Sequence, residues 1–373
     1  AKAEEQYLLA TQKDPNYFDA FYNLANLYVR TQKYEKAFNY YNKALAINPN
    51  DFEAHVVFGQ ALRKVGDNVK AIREFEAASA IRADAGVLTT LGSLYTKQQN
   101  IAKAIDAYQR ALAIDKSIVD AHVGLGLAFY TQGDYAQAIE HWRAAADLDP
   151  TSFAARYNLG LAYAATRDYA NAAAAYREAA QLKPGDANCL NNLGSALYEL
   201  GQASEAVEYF RQAIAARPDL ELAHINLALA LQRAGQNEAA LTQWQSAVQA
   251  FPDSAAAHAG LANAYYDAGD YDKALPEYLK TIQLNPNNLE AQNNAGLIYL
   301  RRNELTEAVA RFRAALAVDP NYVYALNNLG VALEKQGDTA AALRYYQKAL
   351  EVQPDYGPAK KNLERLQKQM GQG

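Results

Sequence analysis

A proline lattice constrains this chain more than any other feature of its sequence. Pro150, Pro184, Pro218, Pro252, Pro286, Pro320 and Pro354 follow one another at intervals of 34 residues, and Pro49 joins the series with a slip of one residue. Self-similarity at such a period marks a stack of supersecondary units. On length alone, 373 residues would suggest two or three globular domains. A repeat array instead grows along one axis, each unit burying its apolar face on its neighbours.

Residues 153–184, FAARYNLGLAYAATRDYANAAAAYREAAQLKP, and 323–354, VYALNNLGVALEKQGDTAAALRYYQKALEVQP, each hold two amphipathic helical stretches. A polar turn separates them and Pro closes the unit. Ten full repeats begin at Phe18, Phe52, Ala85, Val119, Phe153, Ala187, Glu221, Ala255, Leu289 and Val323. Their eighth place is Gly or Ala (Gly126, Gly160, Gly194, Ala228), their twentieth is Ala, and their twenty-fourth is large (Tyr41, Phe75, Trp142, Tyr176, Trp244, Phe312). Small residues facing large ones let two helices interdigitate at about 8–10 Å. Pro stops the second helix because it lacks an N–H and disfavours helix in the residue before it.

These landmarks resemble the tetratricopeptide repeat (TPR) family over almost the whole chain. The resemblance implies an all-α fold, a right-handed α-solenoid of about ten helix–turn–helix repeats. Residues 18–356 are expected to form one continuous superhelix. Residues 1–17 match a second helix only, with Ala3, Tyr7, Ala10 and Pro15 at its landmarks; residues 357–373 match a first helix that turns polar, a C-terminal solvating cap. The front end shows no such cap, which predicts either a longer parent chain or a docked front face. Repeat 2 is one residue short, and Ala83 and Lys116 replace closing prolines around repeat 3, so the stack is expected to bend or loosen there. Pro276 lies near enough to the start of a second helix to be tolerated.

Composition narrows the function. Net charge is −5 and pI about 5.7, with Lys and Arg scattered, so the basic stripe of a nucleic-acid binder is missing. No apolar run is long enough for a membrane span. Cys189, the single cysteine, stands at the third place, which Ala fills in most repeats, and reads as a small buried thiol. There is no nucleophile–His–Asp pattern, Gly-rich phosphate loop or H-E-x-x-H motif, so neither catalysis nor a cofactor is expected. His55, His122, His224 and His258 all occupy the fourth place, which the TPR family fills with a bulky packing residue. Equivalent places in successive repeats lie about 10 Å apart, whereas zinc ligands must converge to about 2.0–2.1 Å of one ion. Packing is the expectation, and no metal site.

The informative constellation is the sixth place: Asn23, Asn158, Asn192, Asn226, Asn294, Asn328 and the cap's Asn362, interrupted by Val57, Thr90, Gly124 and Gly260. Asn is a mediocre helix former that competes with the backbone for hydrogen bonds. The TPR resemblance places it in the concave groove, where a carboxamide matches both polar groups of a peptide bond. The row resembles the asparagine ladder of the O-linked GlcNAc transferase repeat domain. The alternative is that these side chains contact a neighbouring repeat. Other groove places are mildly basic in repeats 1–3 (Arg30, Arg63, Lys64 and Lys97 against Asp19 and Glu53). Repeats 4 and 5 instead offer an apolar floor, with Leu127, Tyr130, Tyr157, Leu161, Ala164 and Ala165. The family's carboxylate clamp is unsupported, because Asn26 matches one element but Tyr22 replaces its Lys. The expected function is a scaffold or adaptor that binds extended or helical segments of other proteins in its concave groove. The targeting domain of a larger, glycosyltransferase-like enzyme and a solenoid self-associating through its front end are the alternatives. Composition suits cytoplasm or periplasm equally.

Overall fold

The computed structural model describes residues 2–371, which fall into two compact units, Ala1–Pro184 and Gly185–Gly373. Among the described residues all regular structure is helical. In the first unit, α1 (Lys2–Lys13) precedes α2 (Phe18–Arg30) and α3 (Tyr34–Ile47), then α4 (Phe52–Lys64) and α5 (Asn68–Ile81). Next come α6 (Ala85–Lys97) and α7 (Ile101–Ile114), α8 (Val119–Gln132) and α9 (Tyr135–Leu148), and α10 (Phe153–Ala165) and α11 (Tyr169–Leu182). The second unit opens with α12 (Ala187–Glu199) and α13 (Ala203–Ala216), α14 (Glu221–Arg233) and α15 (Asn237–Ala250), and α16 (Ala255–Asp267) and α17 (Tyr271–Leu284). It closes with α18 (Leu289–Arg301) and α19 (Leu305–Val318), α20 (Val323–Lys335) and α21 (Thr339–Val352), and α22 (Gly357–Gly371). Within each unit every helix packs on the next, and successive first helices of a pair also touch, as α8 does α10 and α18 does α20.

The small–large rule has a direct geometric basis. A Cβ added at Gly126 would lie 2.5 Å from Nε1 of Trp142, and one at Gly330 would lie 2.6 Å from Tyr346. The eighth place is therefore the seat of the repeat's own twenty-fourth-place ring, and those rings are fully buried at Tyr41, Phe75, Trp142, Tyr176, Phe210, Phe312 and Tyr346.

The turn between the two helices of a pair is equally regular. Its fifteenth place has positive φ in all ten repeats: Gly at 66, 133, 201, 235, 269 and 337, but Gln32, Gln99, Arg167 and Asn303 elsewhere. Gly accepts this left-handed region without the steric penalty of a Cβ. Second helices then start on short polar caps, as where Asp134 accepts from the Gln137 N–H and Asp168 from the Asn171 N–H.

Repeat 2 loses its residue from a connector. Only residues 82–84 join α5 to α6, where residues 48–51 join α3 to α4. A cleft of about 330 Å³ lies at this joint, lined by Ala80, Leu88, Leu91, Tyr95 and the paired charges Glu76, Lys103, Asp106 and Arg110. Helix α17 runs unbroken through Pro276. At the front, α1 packs on α2 through the partly buried Tyr7 and Leu8, and the Tyr28 hydroxyl donates to Glu4 Oε1 at 2.8 Å. Burial and this carboxylate raise the Tyr28 hydroxyl to about 12. At the other end Arg365 of α22 grips both oxygens of Glu334 on α20 (2.5 and 2.8 Å), which holds that carboxyl below its usual range.

Candidate functional site

First helices carry the residues singled out for a groove. In the first unit, Leu127 and Tyr130 stand on α8 and Tyr157 and Leu161 on α10, two first helices in contact. Leu127 is 42% exposed, and the other three are half-buried. Tyr130 packs on Trp142 with ring centroids 5.6 Å apart, and Tyr157 stacks on Phe153 at 5.6 Å. Each ring thus packs on a neighbour and stays only half-buried. Arg30, Arg63, Lys64 and Lys97 are exposed in the last turns of α2, α4 and α6, with Asp19 and Glu53 in first turns. That polarity also suits each helix dipole, so the four cations stabilise their own helices whatever else they do.

The sixth-place asparagines are all half-buried, but they divide into two kinds. In the second unit three of them bond backward to asparagines at the fifth place of the preceding repeat. Asn226 donates to Asn191 Oδ1, Asn328 to Asn293 Oδ1 and Asn362 to Asn327 Oδ1, each at 3.0 Å. The fifth-place amides donate in turn to their sequence neighbours, Asn327 to Asn328 and Asn293 to Asn294, both at 3.2 Å. Asn294 donates to the Tyr278 hydroxyl (3.1 Å), which donates to Asn263 Oδ1 (2.6 Å). A relay thereby runs from Asn362 to Asn263 across three repeat junctions. Asn191, Asn293 and Asn327 are 3%, 6% and 5% exposed, so losing a partner here would leave a buried amide unsatisfied. The sequence reading gave these three no role; the Asn-Asn pairs at 191–192, 293–294 and 327–328 were the available signal.

Among its described residues the first unit has no such stitch. Its fifth places are Tyr22, Val56, Thr89, Val123 and Tyr157. Asn23 and Asn158 hydrogen-bond no side chain among the described residues, and both amides face their surroundings unspent.

Two of the four interruptions, Gly124 and Gly260, follow from the ring of the preceding repeat. A Cβ at Gly124 would lie 2.3 Å from Tyr108, and one at Gly260 would lie 2.4 Å from Trp244. At these two junctions the ring leaves room for glycine alone at the sixth place. Asn26, the one match to a carboxylate clamp, accepts from the Tyr41 hydroxyl at 2.6 Å.

The fourth place turns out to be a polar latch as well as a packing position. His55, His122, His224 and His258 each direct Nε2 to the carbonyl six residues back, at Pro49 (2.9 Å), Lys116 (3.1 Å), Pro218 (3.0 Å) and Pro252 (3.1 Å). Gln292 donates likewise to the Pro286 carbonyl at 3.2 Å. Each Nδ1 meets the twenty-third place of its own repeat: Glu74 at 2.7 Å, His141 at 3.1 Å, Gln243 at 3.1 Å and Glu277 at 2.5 Å. The residue therefore ties a second helix to the start of its repeat. Among the described residues no three His, Cys, Asp or Glu side chains converge as a metal site, and no helix is long and apolar enough to cross a membrane.

Comparison with known proteins agrees with this architecture. Tetratricopeptide repeat models match residues 18–51, 40–73, 123–187, 187–217, 225–289 and 323–356, and a TPR repeat model matches 92–133 and 296–337. Anaphase-promoting complex subunit 3 of Schizosaccharomyces pombe is 30% identical over 108 residues, 29% of this chain and 16% of that protein. Protein CTR9 homolog of Arabidopsis thaliana is 32% identical over 127 residues, 33% of this chain and 12% of that one. Protein O-mannosyl-transferase TMTC1 of Homo sapiens is 32% identical over 94 residues, 24% and 10% respectively. The matched segments are thus less than a fifth of these relatives' lengths. Among solved structures, yeast Tom70 covers 98% of this chain with 92% of its own (17% identity, TM-score 0.46). YrrB, described as a TPR protein with an unusual peptide-binding site, covers 52% with 99% of its own (22% identity, TM-score 0.46). By its period, its helix pairs and the repeat models that match most of its length, the chain belongs to the tetratricopeptide repeat family.

Proposed function

We propose that this chain is a protein-interaction scaffold whose first-helix face binds extended or helical segments of other proteins, with no catalysis of its own. The observation that carries the reading is the floor of the first unit. There Leu127, Tyr130, Tyr157 and Leu161 leave apolar surface open around Asn158, whose carboxamide keeps donors and acceptor for a peptide backbone. The cations of α2, α4 and α6 add a preference for acidic residues in the ligand. A relative whose name makes it a subunit of the anaphase-promoting complex supports the same class of role. The second-unit asparagines take a different part. Asn226, Asn294, Asn328 and Asn362 each spend one amide hydrogen on the preceding repeat, so they hold the repeats in register and offer a ligand only what is left.

Selection of a displayed random-peptide library on the intact chain tests the proposal. Enriched peptides carrying an aromatic or aliphatic anchor are expected, with binding reduced at least about tenfold, roughly 1.4 kcal/mol, in the Leu127→Glu/Tyr157→Ser double variant. No enrichment, or binding indifferent to that variant, would sink it. The match to a mannosyl-transferase favours one further reading, a targeting domain carried by a larger enzyme. Reading the parent open reading frame decides that point.

A further inference from the structure

Repeat 4 carries a joint that no other repeat has. At the fourth and twenty-third places, repeats 2 and 8 set an imidazole against a carboxylate, His55 with Glu74 and His258 with Glu277. Repeat 7 sets His224 against the neutral Gln243. Repeat 4 sets His122 against His141, with Nδ1 atoms 3.1 Å apart and ring centroids 5.3 Å apart. Because the His122 Nε2–H donates to the Lys116 carbonyl, neutral His122 presents a bare Nδ1. His141 must then supply the Nδ1–H between the rings. One proton fits in that gap and a second does not, since two N–H groups would point at one another and two cations would face across 3.1 Å.

We propose that the His122–His141 pair makes the α8–α9 repeat an acid-sensitive joint, closed at neutral pH and loosened when the second imidazole takes up a proton. The surroundings give that charge no other host. Burial, with His122 beside it, holds His141 below the 6.5 of a free imidazole, and Glu140 on its own helix opposes the shift without reversing it. The Phe129 ring lies parallel to His141 at 5.7 Å. The cations of the packed helices have partners of their own: Arg110 of α7 with Asp106 and Ser79, Lys103 with Glu76, Arg143 of α9 with the Tyr163 hydroxyl, and Arg156 of α10 with the Pro150 carbonyl and Glu178, while Asp120 of α8 and Asp147 of α9 are the further carboxylates on the two helices of the joint. For a group whose folded pKa is depressed, the unfolded or opened state binds more protons. Stability is therefore complete above about 6.5 and falls as pH drops toward the folded value. The consequence reaches the groove, because α8 also carries Leu127 and Tyr130.

Hydrogen exchange on the whole chain, at about pH 7.5 and about pH 5, tests this without any ligand. After correction for intrinsic rates, residues 119–148 are expected to gain about tenfold in exchange at the lower pH relative to residues 52–81, the His–Glu repeat. His141→Gln installs the partner used in repeat 7, a carboxamide that turns to face either protonation state of His122, and it should abolish that difference. His141→Glu, which copies repeats 2 and 8, should do the same and gives a second variant if the first folds poorly. If 119–148 responds to acid no more than 52–81, or if a folded variant responds like the parent, the joint is not a switch.

Discussion

An asparagine in mid-helix gives up a few tenths of a kcal/mol of helix propensity against alanine, so what it gains elsewhere decides its role. Asn328 accepts from Asn327 and donates to Asn293, both buried. Asn328→Ala orphans one donor and one acceptor and should lower stability by about 1–3 kcal/mol. Asn158→Ala orphans no side chain among the described residues and should leave the melting temperature unchanged or slightly raised, while weakening a bound peptide by about 0.5–1.5 kcal/mol. Thermal melts and titrations of the two variants separate stitch from ladder; equal stability loss in both would contradict the division drawn here. Filling the gap at Gly260 with Asn is a third residue-scale test. Its Cβ would meet Trp244 at 2.4 Å, so Gly260→Asn should cost about 1–3 kcal/mol by overpacking and so fail to extend the row. Position in the repeat was legible from sequence for every one of these residues. What each asparagine bonds was not, because a carboxamide's partner depends on the fifth place one repeat earlier and on how far a ring reaches across the junction.

Helix pairs are the level at which the sequence was most legible, since a 34-residue period fixes two helices, a turn and a stop in each unit. The structure adds that the turn's fifteenth place is left-handed even where no glycine marks it. Gln99 (φ 59°) and Arg167 (φ 62°) bear a Cβ in a region that penalises one by about 1 kcal/mol. Gln99→Gly and Arg167→Gly should each stabilise by roughly 0.5–1 kcal/mol, the relief of strain exceeding the added freedom of the unfolded chain. Chemical denaturation of each single variant checks this, and a loss of stability at both sites would show that those side chains hold the turn by contacts of their own. The latch at the fourth place was legible only as packing. Its two polar contacts come from a carbonyl exposed by the closing residue and from the second helix, and neither is encoded in the histidine itself.

In the whole molecule, stability is set by neighbours. Every long-range side-chain bond in the relay and latches joins elements of one repeat or of two adjacent ones, and the apolar clusters likewise run through neighbouring helices within each unit. Such an array is a sum of repeat and interface terms, in which damage spreads only as far as those terms reach. Leu88 in α6 and Leu326 in α20 are both fully buried, and each truncation to alanine should cost about 2–5 kcal/mol locally. In a single-core domain either loss would lower protection everywhere by the same amount, because the most protected amides open only with global unfolding. Here Leu88→Ala should speed exchange in α4 to α9 while leaving α18 to α22 at parental rates, and Leu326→Ala should do the reverse. Denaturation followed by two probes placed in the two units should then give transitions that do not coincide. A uniform fall in protection after either substitution, with coincident transitions, would mean that the repeats unfold as one cooperative block and that the junction bonds contribute no local stability of their own.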